Sequence, residues 1–553
     1  MANILILSSV RFKEDLWQRP QQLAVQLASL GNKVVYFNPV PTIKISREEI
    51  EVDAILNEFV NNPVEDQGVI IYDQIGKIAT KSSAITGVKT KWLDTIVDYH
   101  QFDKIIVYLP EYAVYLRGVK DKIDVYFDCV DEMSSFYTTK KIVLLENELV
   151  KMAKGVIVTS KTLYVHKSKE NSNCVLIPNA VNPEQFQKQY KQPKDMENIK
   201  KPIVGYMGAI ANWFDQDLMV EVANQNKDKE FLLIGTIYTD VSKLEAVENI
   251  KLFGKREYEE VPAYVNHFDV GIIPFKMEDL IVNTNPIKYF EYLAAGLKTV
   301  STPLPELIGE PHCFLANDAT SFTNMLNNVL NDKSKVEERH YLEENSWLER
   351  AKKINEFINE TDVSDKRDRD TIIEEFLDVY NSFVGKAPLL DVLKAEILND
   401  LGNVERAKEQ LFNSSIGSEC WETQIKLLLE WNCIDKLYDY MLKNEEITYD
   451  TEKWFNKGEE FLKVYALRKI KKINEAATLA VKLANQSECI QEEIGNIYFD
   501  IENYKDAIKR YVSIYKANDE LLTKEGYKNF LKIAEAGGKT LLAEELKKKI
   551  AAI

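Results

Sequence analysis

Basic excess, metal-ligand patterns and long apolar runs are all missing from this chain. With 87 Asp plus Glu against 70 Lys plus Arg, the formal net charge is −17, which opposes chain-wide attraction to nucleic acid or anionic lipid. The five histidines, His100, His166, His267, His312 and His340, have no i, i+4 or ligand-like spacing, so no histidine-built metal site is patterned here. The six cysteines never form C-x-x-C and sit mostly in apolar runs, as buried thiols do. No stretch approaches the roughly 20 apolar residues of a membrane span, and the N-terminal "MANILILSSVRFKEDLW" carries no basic leader. The expectation is a cytoplasmic protein without a transmembrane segment or a nucleic-acid partner.

What is present is a folding chain of several domains: 553 residues, 45% hydrophobic and 28% charged. Short β-branched runs alternate with helical segments in "NILILSS", "KVVYFNP", "GVIIYD", "KIIVYLP", "VYFDCVD", "GVIVTS" and "CVLIPN". Apolar on both faces and joined by helices, they predict a parallel sheet covered on both sides over residues 1–190. The pattern restarts in "IVGYMGAI", "FLLIGT", "IKLFGK", "DVGIIPF", "KTVSTP" and "HCFLAND", predicting a second α/β domain over 191–358. A charged linker, 359–370, contains "DRD" at Asp368 to Asp370, read as solvated, and an all-helical region fills 371–553. There Ala407, Leu437, Ala476, Ala507 and Ala543 recur in segments that resemble the second helix of tetratricopeptide units, so a short helical solenoid is expected over a generic bundle.

The stretch "VNTNPIKYFEYLAAGLKTVST" follows the predicted strand "DVGIIPF", and in open α/β sheets ligands bind at such strand ends. Asn285 is read as N-cap, Pro286 as the first helical residue and Gly296 as the terminator of a helix over about 286–295. Lys288 and Glu291 share one face within its first turn and a half. A lysine and open amides suit a diphosphate, and a glutamate suits ribose hydroxyls; the alternative is an intrahelical ion pair worth roughly 0.2–0.5 kcal/mol.

"NPIKYFEYLAAGLKTVST" resembles the donor-site motif of retaining GT-B glycosyltransferases. "DLWQRPQQLAVQLASLGNKVVYFNP", "YFDCVDEMSSF", "LIPNAVNPEQF", "VGYMGAIANWFD", "VPAYVNHFDVGIIPF" and "ENSWLERAKKI" follow that superfamily in order over about residues 4–358, nearest to bacterial enzymes that build surface polysaccharides such as teichuronic acid. The resemblance implies two Rossmann-like domains facing across a cleft, a nucleotide sugar (a UDP-sugar) as co-substrate, and no metal or other cofactor. It implies donor contacts from Gly208, Trp213, Phe214, Asp215, Lys255, Arg256, Asn283, Thr284, Asn285, Ile287, Lys288 and Glu291, with Lys288 and the amides around Thr284, Asn285 and Ile287 stabilising the leaving diphosphate. Trp213 and Phe214 have core packing as their alternative role.

On the acceptor side stand Arg11, Trp17, Arg19, Asp128 and Asp131. Asp131 is chosen to orient the acceptor hydroxyl or take its proton; capping of the following helix is the alternative for both aspartates. Three departures mark the chain: Asn283 stands where many relatives carry a glutamate, no basic residue occurs from Ala209 to Asp215, and no histidine stands in the acceptor loop. A GT-B core with tetratricopeptide-like helices is similar in architecture to protein O-GlcNAc transferases, which implies a protein acceptor or partner. A surface-polysaccharide transferase and a scaffold with a weakened donor site are the alternatives.

Overall fold

The computed structural model describes residues 1–13, 17–38, 64–72, 92–133, 140–200, 202–359, 368–383, 388–413, 421–433, 436–437, 459–484, 488–517 and 522–552. These divide into two compact units, Met1–Glu132 with Glu146–Leu390, and Met133–Leu145 with Asp391–Ile553.

The first unit holds two sheets. Strands β1 (Asn3–Leu7), β2 (Lys33–Phe37), β3 (Val64–Asp66), β4 (Val69–Tyr72), β5 (Lys104–Val107), β6 (Asp124–Cys129), β7 (Gly155–Val158) and β8 (Cys174–Leu176) pair in the order β3-β4-β2-β1-β5-β6-β7-β8. All pairings are parallel except β3 with β4. Strands β9 (Ile203–Met207), β10 (Glu230–Ile234), β11 (Ile250–Gly254), β12 (Val270–Ile273), β13 (Thr299–Ser301) and β14 (Cys313–Leu315) form a wholly parallel second sheet, β11-β10-β9-β12-β13-β14. All thirteen apolar runs quoted above became strands, because a residue buried on both faces selects β-branched side chains whatever its neighbours do. The short antiparallel β3 lacked such a run and was not foreseen.

Strand order reverses beside β1 in one sheet and between β9 and β12 in the other. At such points the connections leave in opposite directions and open a crevice beyond the strands' C-terminal ends. Helix Trp347–Ile358 returns to the first sheet: Trp347, Ala351, Ile354, Phe357 and Ile358 share a core with Ile4, Ile6 and Leu23. The chain that ends the second domain in sequence thus completes the first.

Helix Arg369–Asn381 also belongs to this unit, against helix Lys161–Glu170, with Phe376 edge-on to Tyr164 and the Arg369 guanidinium donating to Val165 O at 3.1 Å. The chain is thus already helical here while still packed with the first unit. Asp368 of "DRD", expected in solvent, caps this helix by accepting from Thr371 N–H. The rest of the expected linker, 360–367, lies outside the described residues.

The second unit is built of helical hairpins: Pro388–Asp400 with Val404–Asn413, Glu459–Lys469 with Ile473–Leu483, Glu488–Asp500 with Tyr504–Ala517, and Lys524–Ala536 with Thr540–Ala552. Each turn carries one positive-φ residue, Gly402, Lys471, Glu502 or Gly538, and Asn432 stands alike after helix Trp421–Glu430. The next N–H in each case reaches back five residues to a helix carbonyl, at 2.8–2.9 Å, which closes the helix end. Five residues after each positive-φ position comes one of the recurring residues, Ala407, Leu437, Ala476, Ala507 and Ala543, all buried. The irregular spacing seen in the sequence is the spacing of the turns. Inside this unit the buried Arg468 guanidinium donates to Glu493 (2.7 Å), Asp500 (3.1 Å) and Glu525 (2.8 Å), joining three successive hairpins.

Candidate functional site

The helix after β12 runs Ile287–Ala294, one residue shorter at each end than expected. Its inner face, Tyr289, Phe290, Tyr292 and Leu293, is buried, and Tyr292 Oη accepts from Met207 N–H at 2.9 Å, fastening the helix to the end of β9. Gly296, at φ +79°, ends it as expected, with Leu297 N–H bonded to Tyr292 O. Pro286, not Asn285, occupies the N-cap position and offers no side-chain cap. The amides of Ile287 and Lys288 open the helix without an intrahelical acceptor, as the first amides of any helix do.

Lys288 points back toward Gly208, just beyond β9. A Cβ at Gly208 would meet Lys288 Cε at 3.1 Å and Nζ at 3.4 Å, and the residue's φ of +146° disfavours any side chain. The ammonium lies 4.6 Å from the Phe275 ring centroid and 5.5 Å from that of Tyr206. Burial lowers its pKa to about 8 against the attraction of Glu291. Burial likewise raises the Glu291 carboxyl to about 7, with Lys288 opposing. Among the described residues the two make no ion pair and neither side chain has a hydrogen-bond partner, so the intrahelical alternative is not realised.

The other expected donor contacts separate. Thr284 N–H is spent on Ile281 O (3.1 Å) and its hydroxyl on Leu280 O (3.0 Å), which removes it as a phosphate donor. Asn283 is buried at the end of the short helix Asp279–Val282. Asn285 turns to the first domain, as described below. Phe214 is 1% exposed, edge-on to Tyr206 in the core, so it takes the packing role that was its alternative. Trp213 packs half-buried on the same core. Asp215 caps helix Gln216–Gln225 by accepting from Leu218 N–H at 2.9 Å, a structural duty where a sugar contact was expected. Lys255 is exposed, and Arg256 is tied to Asp195 (2.6 Å), Tyr264 Oη (2.7 Å) and Phe253 O (2.7 Å).

On the facing domain Arg19 does not present its charge to the cleft. It is 1% exposed and its Nε meets both Asp128 carboxylate oxygens, at 3.0 and 2.9 Å. One buried ion pair thus absorbs two expected acceptor contacts. Trp17 lies parallel to Tyr258 of the second domain, centroids 6.2 Å apart, and Gln22 Nε2 donates to Tyr258 Oη at 3.0 Å. Arg11 is half-buried and its carbonyl accepts from Gln21. Asp131, just past β6, has its carboxyl raised by burial to about 6, a value suited to exchanging a proton near neutrality.

The sequence reading named Asn285 and Trp17 for other roles and did not single out Asn179, Glu306, Lys161 or Thr162, which help join the domains. Asn179 N–H donates to Asn285 Oδ1 (3.1 Å) and its Nδ2 to Asn285 O (2.7 Å). Glu306 accepts from Lys161 N–H (2.9 Å) and from Asn285 Nδ2 (3.3 Å), and Thr162 Oγ1 donates to Val282 O (3.1 Å). Asn179 was legible only as part of "LIPNAVN"; Glu306 carries no local signal, since its partners are distant in sequence.

The fold and site together define a two-domain parallel α/β protein whose charged pair stands at a topological switch point. Comparison with known proteins finds similarity to glycosyltransferases. Residues 201–332 match the family model described as "Glycosyl transferases group 1". Over 203 residues the chain is 29% identical to the "Putative teichuronic acid biosynthesis glycosyltransferase TuaH" of Bacillus subtilis (strain 168), covering 33% of this chain and 51% of that protein. The chain thus spans about half the length of the curated relative it matches. Similar solved structures include a sucrose-phosphate synthase from Thermosynechococcus elongatus (14% identity, 66% of this chain and 100% of that one, TM-score 0.48). Another is an alpha,alpha-trehalose-phosphate synthase (UDP-forming) from Burkholderia xenovorans (12%, 65% and 100%, TM-score 0.45). Among the described residues no helix is long and apolar enough to cross a membrane.

Proposed function

We propose that the protein is a glycosyltransferase that moves a sugar from a nucleoside-diphosphate sugar, first of all a UDP-sugar, to an acceptor hydroxyl. The observation that carries this reading is the pair of half-buried Lys288, which lies beside Gly208, and buried Glu291, at the switch point and unpaired with each other. A diphosphate against Lys288 and the amides of Ile287 and Lys288 would have its leaving charge met by donors already in place, without needing a metal. Glu291 would accept the ribose hydroxyls. Asp131 would hold the acceptor hydroxyl and take its proton. Retention at the anomeric carbon is part of the proposal through the motif resemblance.

The acceptor in this reading is a protein hydroxyl, with the helical hairpins, which resemble tetratricopeptide units, holding the protein that bears it. A second reading, a glycan of the cell surface with the hairpins docking an assembly partner, is favoured by the similarity to TuaH. Titration calorimetry with UDP, GDP and ADP, followed by hydrolysis of the matching nucleotide sugars, tests the core of the proposal. One nucleotide bound selectively and lost with Lys288→Ala supports it. A folded protein that binds none of the three favours the scaffold alternative and refutes the transferase. Labelled sugar appearing in protein or in glycan separates the two acceptors.

A further inference from the structure

We infer that Asn179, a residue of the first domain, is a positioning residue for the phosphate end of the donor on the second, set in place by the buried arginines Arg19 and Arg350. The inference rests on the nucleotide-sugar reading and names how that site is assembled.

The argument begins beneath Asn179. Past β8, Pro178 O accepts from Arg19 Nη1 at 3.1 Å and from Arg350 Nε at 3.0 Å, while Asn179 O lies 3.4 Å from Arg350 Nε. Both arginines are at least 96% buried, and Asp128 balances Arg19. Two guanidiniums on adjacent carbonyls fix this backbone far more firmly than a surface loop is fixed, because each bond is charge-assisted and shielded from water. Arg19 and Asp128, expected to touch an acceptor, instead build the floor under Asn179.

From that floor Asn179 reaches Asn285 with two bonds, N–H to Oδ1 and Nδ2 to the carbonyl, both residues being buried. Asn285 Nδ2 is held in turn by Glu306, itself held by Lys161 N–H. Asn285 stands two residues before Ile287, so its orientation sets where the amides of Ile287 and Lys288 point. Its carbonyl matters as much: the next residue is proline, which offers no N–H, and a carbonyl turned toward a phosphate would repel it. Asn179 Nδ2 takes that carbonyl at 2.7 Å. Phosphate binding on one domain is thereby made dependent on contact with the other.

The test uses the full chain and whichever of UDP, GDP and ADP wild type binds tightest, together with the matching nucleoside. Asn179→Ala should weaken the diphosphate about tenfold, the scale of a lost buried hydrogen bond, and leave nucleoside affinity unchanged. Thr162→Val, a near-isosteric change that removes the bond to Val282 O together with the hydroxyl's contact with Ser160 Oγ (3.2 Å), should give a smaller loss of the same phosphate-selective kind. Equal losses for diphosphate and nucleoside would mean general damage and overturn the inference, as would unchanged diphosphate affinity in both variants. If wild type binds none of the three nucleotides, the transferase reading falls and this inference with it. If it binds and only the selectivity fails, the reading stands and the inference alone is lost.

Discussion

Replacing Glu291 by glutamine should stabilise the free protein while weakening nucleotide binding. In the folded state the carboxyl titrates at about 7 in place of 4.5, because burial opposes its ionisation more than Lys288 favours it. A raised folded pKa means that the contribution to stability is complete below the unfolded value and is lost as pH rises through the folded one. At one pKa unit per 1.36 kcal/mol, the cost of the native carboxyl is about 1 kcal/mol at pH 5 and about 3 kcal/mol at pH 8. A neutral amide avoids that cost. Both figures are net of the attraction from Lys288, which already lowers the folded carboxyl. The assay is calorimetric or fluorimetric melting of wild type and Glu291→Gln between pH 5 and pH 8, with UDP, GDP and ADP affinity measured in parallel. The melting temperature of the variant should exceed that of wild type by a margin that grows with pH. A margin that is constant, shrinking or negative across the range would refute the electrostatic account of this helix.

Asp131→Asn should leave nucleotide affinity unchanged and lower transfer by about 10²–10⁴, the usual contribution of a positioned base. The wild-type rate should fall as pH drops through about 6, where the carboxyl protonates; a flat profile from pH 5 to 8 would remove Asp131 from the chemistry. Arg19→Met should destabilise the first unit by about 3–5 kcal/mol by leaving Asp128 buried and unpaired, and adding Asp128→Leu should recover much of the loss; denaturant titration of the three chains decides. Ala476→Leu, at a fully buried position five residues past a hairpin turn, should cost about 1–3 kcal/mol by overpacking. Val481→Lys on the exposed side of the same helix should stay within about 0.5 kcal/mol.

The architecture was readable because its signals are local. Apolar runs such as "FLLIGT" and "DVGIIPF" set buried strands by their own composition, and the recurring Ala407, Ala476, Ala507 and Ala543 marked helices that must approach closely. Lys288, Glu291 and Gly208 were singled out from local strand-turn-helix patterns, and the fold brings Lys288 onto Gly208. What failed was the assignment of charges. Arg19 and Asp128 are 109 residues apart in sequence, and nothing near either one shows that the other neutralises it. Arg256 was equally opaque, its partner Asp195 coming from the segment that enters the second domain. Asp215 and Asp368 were read for chemistry, or for solvation, when each satisfies the open amides of a helix. A polar residue at a strand or helix end has two employers, ligand and backbone, and only tertiary structure shows which one has it.

The charge left without an internal partner among the described residues bears on the proposed choice between enzyme and scaffold. A lysine and a glutamate three apart on a helix ordinarily meet, because even a weak pair is better than two solitary charges. Here both are drawn toward their neutral forms by burial, Lys288 down to about 8 and Glu291 up to about 7, while Lys288 lies over two aromatic rings. Aromatic faces hold a cation without neutralising it. The ammonium is therefore kept charged enough to meet an anion, and the carboxyl is poised to accept hydrogen bonds once hydroxyls arrive. A chain that needed only a packed helix would lower its free energy with an apolar residue at either place. The missing basic residues between Ala209 and Asp215 bear on the proposed site: with Arg19 bound to Asp128 and Arg256 bound to Asp195, the proposed diphosphate contact rests on Lys288, the described cation that lies against Gly208.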